Sequence, residues 1–493
     1  MAAPTTEITG NLLVIKDPDG TLITTLPDGS QTIDFFGAWN IARNAAGDYY
    51  DFVAFFLDTL SGLPVGLGAA SFSIYNDISG IGRSIYNNRP SFSTNKLSHI
   101  AYYGMSTPAG VPIFTVTETI HEIGHHWCAY VDFKDSGGTK QTLLHEDWVW
   151  NAGQQSAHWG RWPDDRNSCM DYDQAEWIDN GNGTFNRIQH DPTVDDAWFG
   201  YWALDQYLMG LIPASDVPSF PIVRNPSPAI SWGPVGVSTG PYTPSPSALA
   251  INATNVVAEE GARSPDYLSS QRVFHELFVI ITKSTAAASA NSYVTMAEPW
   301  RVAHTDSFRR NTSGRAMIDT SLLRSNYSDL YVKDNAADTG GASSSGVFWL
   351  SPDLWVRNSQ DGGLTDVPTI RGQDNYIYAR VRNKGAQAYS NIVVNFYLAN
   401  FETLVPGTEF FYPVNWAPAG LLGSATIAAV PAKSGGVDGE AITNIKWPTS
   451  QIPPAAGWHP CLLIEVLPME VTPTGLHHVW ENKKLAQRNI TIL

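Results

Sequence analysis

The sequence is short of cysteine, of positive charge and of long apolar runs, and each shortage excludes something. Three cysteines in 493 residues (Cys128, Cys169 and Cys461) cannot build a disulfide scaffold, and an odd number leaves at least one thiol unpaired within the chain. No apolar stretch approaches the ~18 residues that a membrane span needs, so no span is expected. The 30 Lys and Arg stand against 47 Asp and Glu, a formal charge of −17 with a pI near 5.0. A field of that sign repels a phosphate backbone and argues against nucleic acid as a partner. Residues 1–10, MAAPTTEITG, lack the basic-then-apolar layout of a signal peptide. No internal repeat is present.

What is there is enough to fold. Hydrophobic residues make up 43% and aromatics 12%, which excludes a disordered chain. At roughly 100–200 residues per domain the length allows two to four. Residues 11–36 alternate around two turn signals, Asp17-Pro18-Asp19-Gly20 and Pro27-Asp28-Gly29, and read as strands joined by tight turns. Tyr50 to Leu57 is a buried strand by length and composition, and Ala70 to Gly82 a strand running into a glycine loop. From Thr115 to Val131 the pattern changes: Val116, Ile120, Ile123, Trp127 and Val131 form one apolar stripe of an amphipathic helix. Asp132 to Pro192 is rich in Trp, Gly, Asp and Asn and reads as a long functional loop region. Helical patterning returns at Trp202–Leu211 and over 266–310, with a Pro/Ser/Gly-rich excursion at Asn225–Ser247 between them. Asp334 to Gly346 has a linker's composition. Beyond it, strands at Tyr376–Arg382, Asn391–Leu398, Cys461–Val466 and Asn489–Leu493 suggest an antiparallel sandwich.

The chemistry sits on the helix. His121-Glu122-Ile123-Gly124-His125 places two imidazoles at i and i+4 on one face, where both reach one metal at about 2.0–2.1 Å. The carboxylate of Glu122 stands beside a metal-bound water as general base. A catalytic zinc needs a third protein ligand and one open position. Downstream candidates are Asp132, His145, Glu146 and His158. A histidine six residues after the second ligand would fall on Val131, so the compact spacing fails. His158 is preferred, since it lies inside the aromatic loop region and is followed by Ser168-Cys169-Met170-Asp171-Tyr172.

HEIGHHW, a distant His and then SCMDY together resemble the zincin metallopeptidases, and SCMDY resembles the Met-turn of the metzincin clan. The resemblance implies His121, His125 and His158 as zinc ligands, Glu122 as general base, Met170 as the floor beneath the metal and Tyr172 as an oxyanion donor. The long ligand spacing departs from that pattern. A closer resemblance, over roughly residues 50–320, is to a group of bacterial secreted proteins. They combine an N-D-x-x-G-I-G loop (Asn76–Gly82), the HExGHxW helix, a later His-Trp pair (His158-Trp159) and Y-L-M-G-L (Tyr207–Leu211). It implies a secreted protein and brings no substrate. The C-terminal part, with SPDLWVRN at Ser351–Asn358 and YIYARVRNKG at Tyr376–Gly385, is similar to adhesion-related sandwich domains, which implies surface or glycan contact.

Other signals have plainer readings. Cys128 is expected in the core, with a pairing to Cys169 as the alternative; His126 is expected off the ligand face. Asp179 to Thr184 reads as a hairpin turn and not a calcium loop. His459 and Cys461 read as packing. Trp148, Trp150, Trp159, Trp162 and Trp177 either line a cleft or supply core. The expectation is an α+β zincin-like metallopeptidase domain over 1–333, a linker over 334–346 and an Ig-like antiparallel β-sandwich over 347–493. It would act as a zinc-dependent endopeptidase on protein or peptide substrates. The rivals are a non-catalytic surface protein, whose metal site a fourth ligand closes, and a zinc hydrolase of a non-peptide bond.

Overall fold

The computed structural model describes residues 2–27, 31–63, 69–104, 116–145, 156–171, 173–230, 233–322, 329–341, 344–400, 411–416, 420–453, 460–469 and 475–493. Strand outweighs helix, 36% against 18%, in a mixed α+β chain. It divides into two compact units. One comprises Met1–Gln271 and His275–Thr312, the other Arg272–Phe274 and Ser313–Leu493. The division therefore falls near 312, not at 333.

The sheet of the first unit runs in the order Thr5–Thr9, Leu12–Lys16, Val273–Thr282, Phe52–Leu57, His99–Tyr103, Ala69–Ser73. Its inner contacts are parallel and its two outer contacts antiparallel. Strands inside a parallel sheet are covered on both faces and read as unbroken apolar runs. Phe52–Leu57 is such a run, with every residue buried. Val273–Thr282 is another, and here the expected helix is corrected. Val273, Leu277, Ile280 and Ile281 happen to repeat at helical spacing, yet all ten residues are buried in a strand. Only Ser292–Asn311 of that region is helical, started by the Asn291 side chain accepting the Tyr293 and Val294 N–H groups.

The helix that carries the motif spans Val116–Gly124 and packs on the helix Ser292–Asn311 and on the strands Ala69–Ser73 and His99–Tyr103. It is shorter than the apolar stripe suggests. After Gly124 the His126 and Trp127 N–H groups bond back three residues, to Ile123 and Gly124. The chain then enters the short strand Asp132–Lys134. Trp127 and Val131 stay buried because this turn is itself packed inside, so burial continued where the helix did not. The loop-like region 132–192 also holds paired strands. Ala175–Asp179 and Phe185–Gln189 form a hairpin whose tip is the Asp179–Thr184 turn, with Gly181 and Gly183 in the left-handed region.

The second unit is a sandwich of two antiparallel sheets. Leu330–Tyr331, Leu354–Arg357 and Gly439–Trp447 pair with Asn375–Asn383. Opposite them run Leu421–Val430, Tyr389–Asn400, Pro460–Leu467 and Leu485–Asn489. Val356, Ile377 and Val381 of the first sheet meet Val394, Phe396, Leu462 and Ile464 of the second in one core. The final strand is Leu485–Asn489 instead of Asn489–Leu493, because Leu485, Ala486 and Gln487 are the buried set and Ile492 makes only an isolated bridge. The segment read as a linker is folded: the Asp334 N–H donates to Asp338, the Gly340 N–H donates to Asp338 and the Ser344 hydroxyl donates to Asp334. Small polar residues here serve a hydrogen-bonded turn, a use that composition does not separate from flexibility. Phe396→Ala should destabilise the protein by about 3–5 kcal/mol, the cost of an aromatic cavity in a closed core, measured by chemical denaturation.

Candidate metal centre

Three imidazoles converge. Their ligand atoms lie within 4.8 Å of one another, with His121 Nε2 3.1 Å from His125 Nε2 and 3.2 Å from His158 Nε2. The His121 and His158 rings are nearly parallel, at 15°, and His125 stands almost perpendicular to both. His121 Nδ1 is 2.6 Å from the Cys169 carbonyl oxygen. A carbonyl only accepts, so Nδ1 carries the proton and Nε2 presents a bare lone pair. One lone pair accepts one proton well, yet two other Nε2 atoms point at it. Burial holds all three imidazoles neutral: the His158 pKa falls to about 3, and those of His121 and His125 are lowered too, with neighbouring imidazoles adding to the effect at His125 and His158. Excess protons therefore do not resolve the crowding. One shared cation could. Two nitrogens each about 2.0–2.1 Å from one ion at a tetrahedral angle stand about 3.3 Å apart, close to the spacing found.

The i, i+4 pair comes from the helix, several of whose carbonyls, and that of His125 beyond it, are held by side chains. Tyr103 donates to Thr119, Tyr201 to Ile120, and Tyr130 to His125. His99 Nε2 lies 2.8 Å from the Glu122 carbonyl, while its Nδ1 is 2.9 Å from the Ser73 hydroxyl. Arg83 donates to Ser73 Oγ and to the carbonyls of His125 and His126, tying the outermost strand to the helix end. His126 is buried there, 3.3 Å from Ser73 Oγ, and not on a surface.

His158 arrives on a different segment. The His145 N–H donates to its carbonyl, and the next residue, Trp159, bridges Leu144 on one side and Asp171 on the other. The Trp159 indole donates to Asp205 at 2.8 Å, and Ser168 Oγ donates to the same carboxylate at 2.7 Å. Asp205 thus holds both the His158 segment and the turn that carries Met170. Sequence reasoning missed it; the signal was one acid inside the apolar helix WALDQYL. Met170 is fully buried beneath the helix, and a Cβ added at Gly124 would lie 2.4 Å from its sulfur. Glycine at that position lets the two segments close on one another.

Glu122 is 6% exposed, and its Oε2 has no hydrogen-bond partner among the described residues. Burial pushes its pKa up to about 8, the Glu118 charge adds to this, and the Ser71 hydroxyl works the other way. Asp132 and His145, the other candidate ligands among the described residues, do not join the cluster. Asp132 pairs with Lys140 at 2.9 Å, and His145 lies against Arg161 and Asp173. Glu146 and Tyr172 lie outside the described residues, as do Trp148, Trp150 and His459. Cys128 and Cys169 are buried thiols that do not pair with one another, so no bridge joins the helix to the turn; Cys461 is buried as well. A cleft of about 1040 Å³ opens over the histidines and is lined by Ala69–Ser73, Arg83, Glu118, Glu122 and Asp171 among others. None of its described lining residues is a tryptophan; Trp159 and Trp177 are core.

No protein-family model matches the chain, and no curated protein matches it. Among solved structures it is similar to a CARDB domain from Pyrococcus furiosus at 13% identity, over 29% of this chain and 93% of that one, with a TM-score of 0.16. A protein from Geobacter metallireducens matches at 20% identity over 26% and 86%, with a TM-score of 0.17. A β-glucosidase from intestinal bacteria matches at 14% identity over 29% and 17%, with a TM-score of 0.14. These likenesses are too slight to bear on the site.

Gly124→Ala should cost about 1–3 kcal/mol of stability, since overpacking against Met170 outweighs the better helix propensity of alanine. Thermal unfolding of the single variant and of Gly124→Ala with Met170→Ala checks this, the double variant recovering part of the loss.

Proposed function

We propose that this chain is a zinc-dependent endopeptidase of zincin type, with His121, His125 and His158 as ligands and Glu122 as general base. The observation that carries the reading is the convergence of three neutral imidazole nitrogens beside a buried carboxylate in an open cleft. Three nitrogen donors with no fourth protein ligand among the described residues are the donor set of a catalytic zinc, not a structural one. Zinc held there would polarise a scissile carbonyl and acidify a bound water.

The chain's own residues supply the rest. Glu122 Oε2, without a hydrogen-bond partner among the described residues, receives a proton from the water and later delivers it to the leaving amine nitrogen. Its burial makes the carboxylate a stronger base than a solvated one. The Cys169 carbonyl keeps His121 in the ligating tautomer, and Met170 supports the helix from below. Tyr172 is the oxyanion donor in this reading, assigned from its motif. Ala69–Ser73, the last strand of the sheet among the described residues, lines the cleft along its whole length. An extended peptide adding to that edge places its backbone across the metal centre, and this favours a peptide over other substrates. No helix among the described residues is long and apolar enough to cross a membrane. The secreted setting belongs to the same reading, as does the sandwich unit as a surface or glycan contact.

Purified protein dialysed against a weak chelator should hold about one zinc per chain by elemental mass spectrometry, and His158→Ala clearly less. Full retention by that variant would remove His158 from the ligand set. Glu122→Gln should keep its zinc and lose about 10²–10⁴-fold in peptide hydrolysis. Unchanged hydrolysis in that variant, or no zinc in the wild type after zinc is supplied, would overturn the reading.

A further inference from the structure

Arg83 is the only Lys or Arg among the described residues that line the cleft, in a chain of 47 acids against 30 Lys and Arg. Its partners are nevertheless all neutral. Nη1 donates to Ser73 Oγ at 3.1 Å and to the main-chain oxygens of His125 and His126 at 3.2 and 3.4 Å. Nη2 donates to the Tyr86 hydroxyl at 2.6 Å. A guanidinium has five N–H groups. Two on Nη1 and one on Nη2 are engaged, so Nε–H and the second N–H of Nη2 have no acceptor among the described residues. Nε is unpartnered but not sealed from solvent.

The head group is held still. Its Cζ lies 4.4 Å from the centre of the Tyr130 ring and 5.5 Å from that of Tyr86. The acids of the lining, Glu118, Glu122 and Asp171, make no bond to it. Burial raises the pKa of Glu122 and of Asp171, so these two offset less of its charge than exposed acids would.

Its placement gives the open N–H groups a use. Arg83 bonds to the carbonyl of His125, a ligand in the reading above. It also bonds to Ser73, the last residue of the edge strand on which that reading lays the substrate. The Ser73 carbonyl accepts from the Tyr86 hydroxyl at 3.3 Å, so the pairing edge closes there. An extended chain advances about 3.3 Å per residue, and a group held by Arg83 therefore belongs to a residue within about three of the bond cleaved.

We propose that the cleft selects peptides with a carboxylate close to the scissile bond, and that Arg83 receives it through Nε–H and the open N–H of Nη2. The inference rests on the peptidase reading and names its substrate class. An aspartate or glutamate side chain supplies the carboxylate, or the peptide's own C-terminus does; the chemistry at Arg83 is the same. Charge-assisted bonds to a guanidinium already fixed in place cost little further ordering.

The test reads binding, not turnover. Full-length, zinc-loaded Glu122→Gln protein is titrated by fluorescence anisotropy with two sets of peptides. In one set glutamate replaces glutamine at successive positions. In the other a free C-terminus is compared with its amide at successive lengths. In one set the acid should bind about tenfold tighter or better, and the set that responds names the source of the carboxylate. Arg83→Gln should bring that pair to within about twofold. Arg83 also grips the helix end, so Arg83→Lys is the second variant. Its ammonium keeps the charge and loses the fork, and the preference should fall several-fold. Equal affinity for acid and neutral peptides throughout both sets would overturn the proposal and leave the peptidase reading intact. A preference undiminished in both Arg83 variants would overturn it too, the carboxylate then sitting on the metal. Failure to bind any peptide would overturn the peptidase reading and this inference with it.

Discussion

A lone pair that cannot be given a proton governs this molecule. The Cys169 carbonyl takes the Nδ1 proton of His121, and the Nε2 left bare faces two more imidazole nitrogens at about hydrogen-bond distance. One neutral ring can donate a hydrogen bond to that nitrogen, but a second neighbour at the same distance has no proton left to share, and the three atoms form a set that could hold a cation. Everything around them maintains the arrangement. Four helix carbonyls are held by tyrosines and His99, the helix end is gripped by Arg83, and the segment of His158 is anchored through the Trp159 indole on Asp205. A cluster so over-determined is held in place by the protein alone, which would limit the ordering cost of binding an ion there.

The same framework explains why two distant pieces of sequence meet at one point. The His121–His125 pair rides on and just beyond a helix packed against the sheet, while His158 arrives from a region of short bridges with little regular structure. Their closeness depends on a missing side chain. Gly124 removes the Cβ that would collide with Met170, and Gly82 does the same against the Tyr130 carbonyl, where an added Cβ would be 2.1 Å away. Both glycines act as points of close contact between segments.

Much of this was legible in the sequence, in proportion to how local the physics is. The i, i+4 histidines, the buried run Phe52–Leu57, the Asp179–Thr184 turn and three of the eight described strands of the sandwich follow from spacing over a few residues. Val273–Thr282 was misread because a strand covered on both faces carries no alternation, and four of its residues fell at helical intervals by accident. The helix ran too long in expectation because burial persisted through the turn after Gly124. Asp205, Arg83 and His99 were invisible as site residues. Their roles are to hold main-chain carbonyls and other side chains that are remote in sequence, and no local pattern encodes that.

The position of Val273–Thr282 carries a consequence for how the protein is made. This strand lies between Leu12–Lys16 and Phe52–Leu57, so its partners are synthesised far ahead of it; the His275 and Asp51 backbones that bond there are 224 residues apart. Closing so long a loop is entropically slow, and contacts of such separation form late. A nascent chain on the ribosome therefore exposes the HExxH segment well before the sheet behind it can be completed. Translation itself is the timer: the centre is assembled only once most of the first unit has emerged, while Ser313–Leu493 is still to be made.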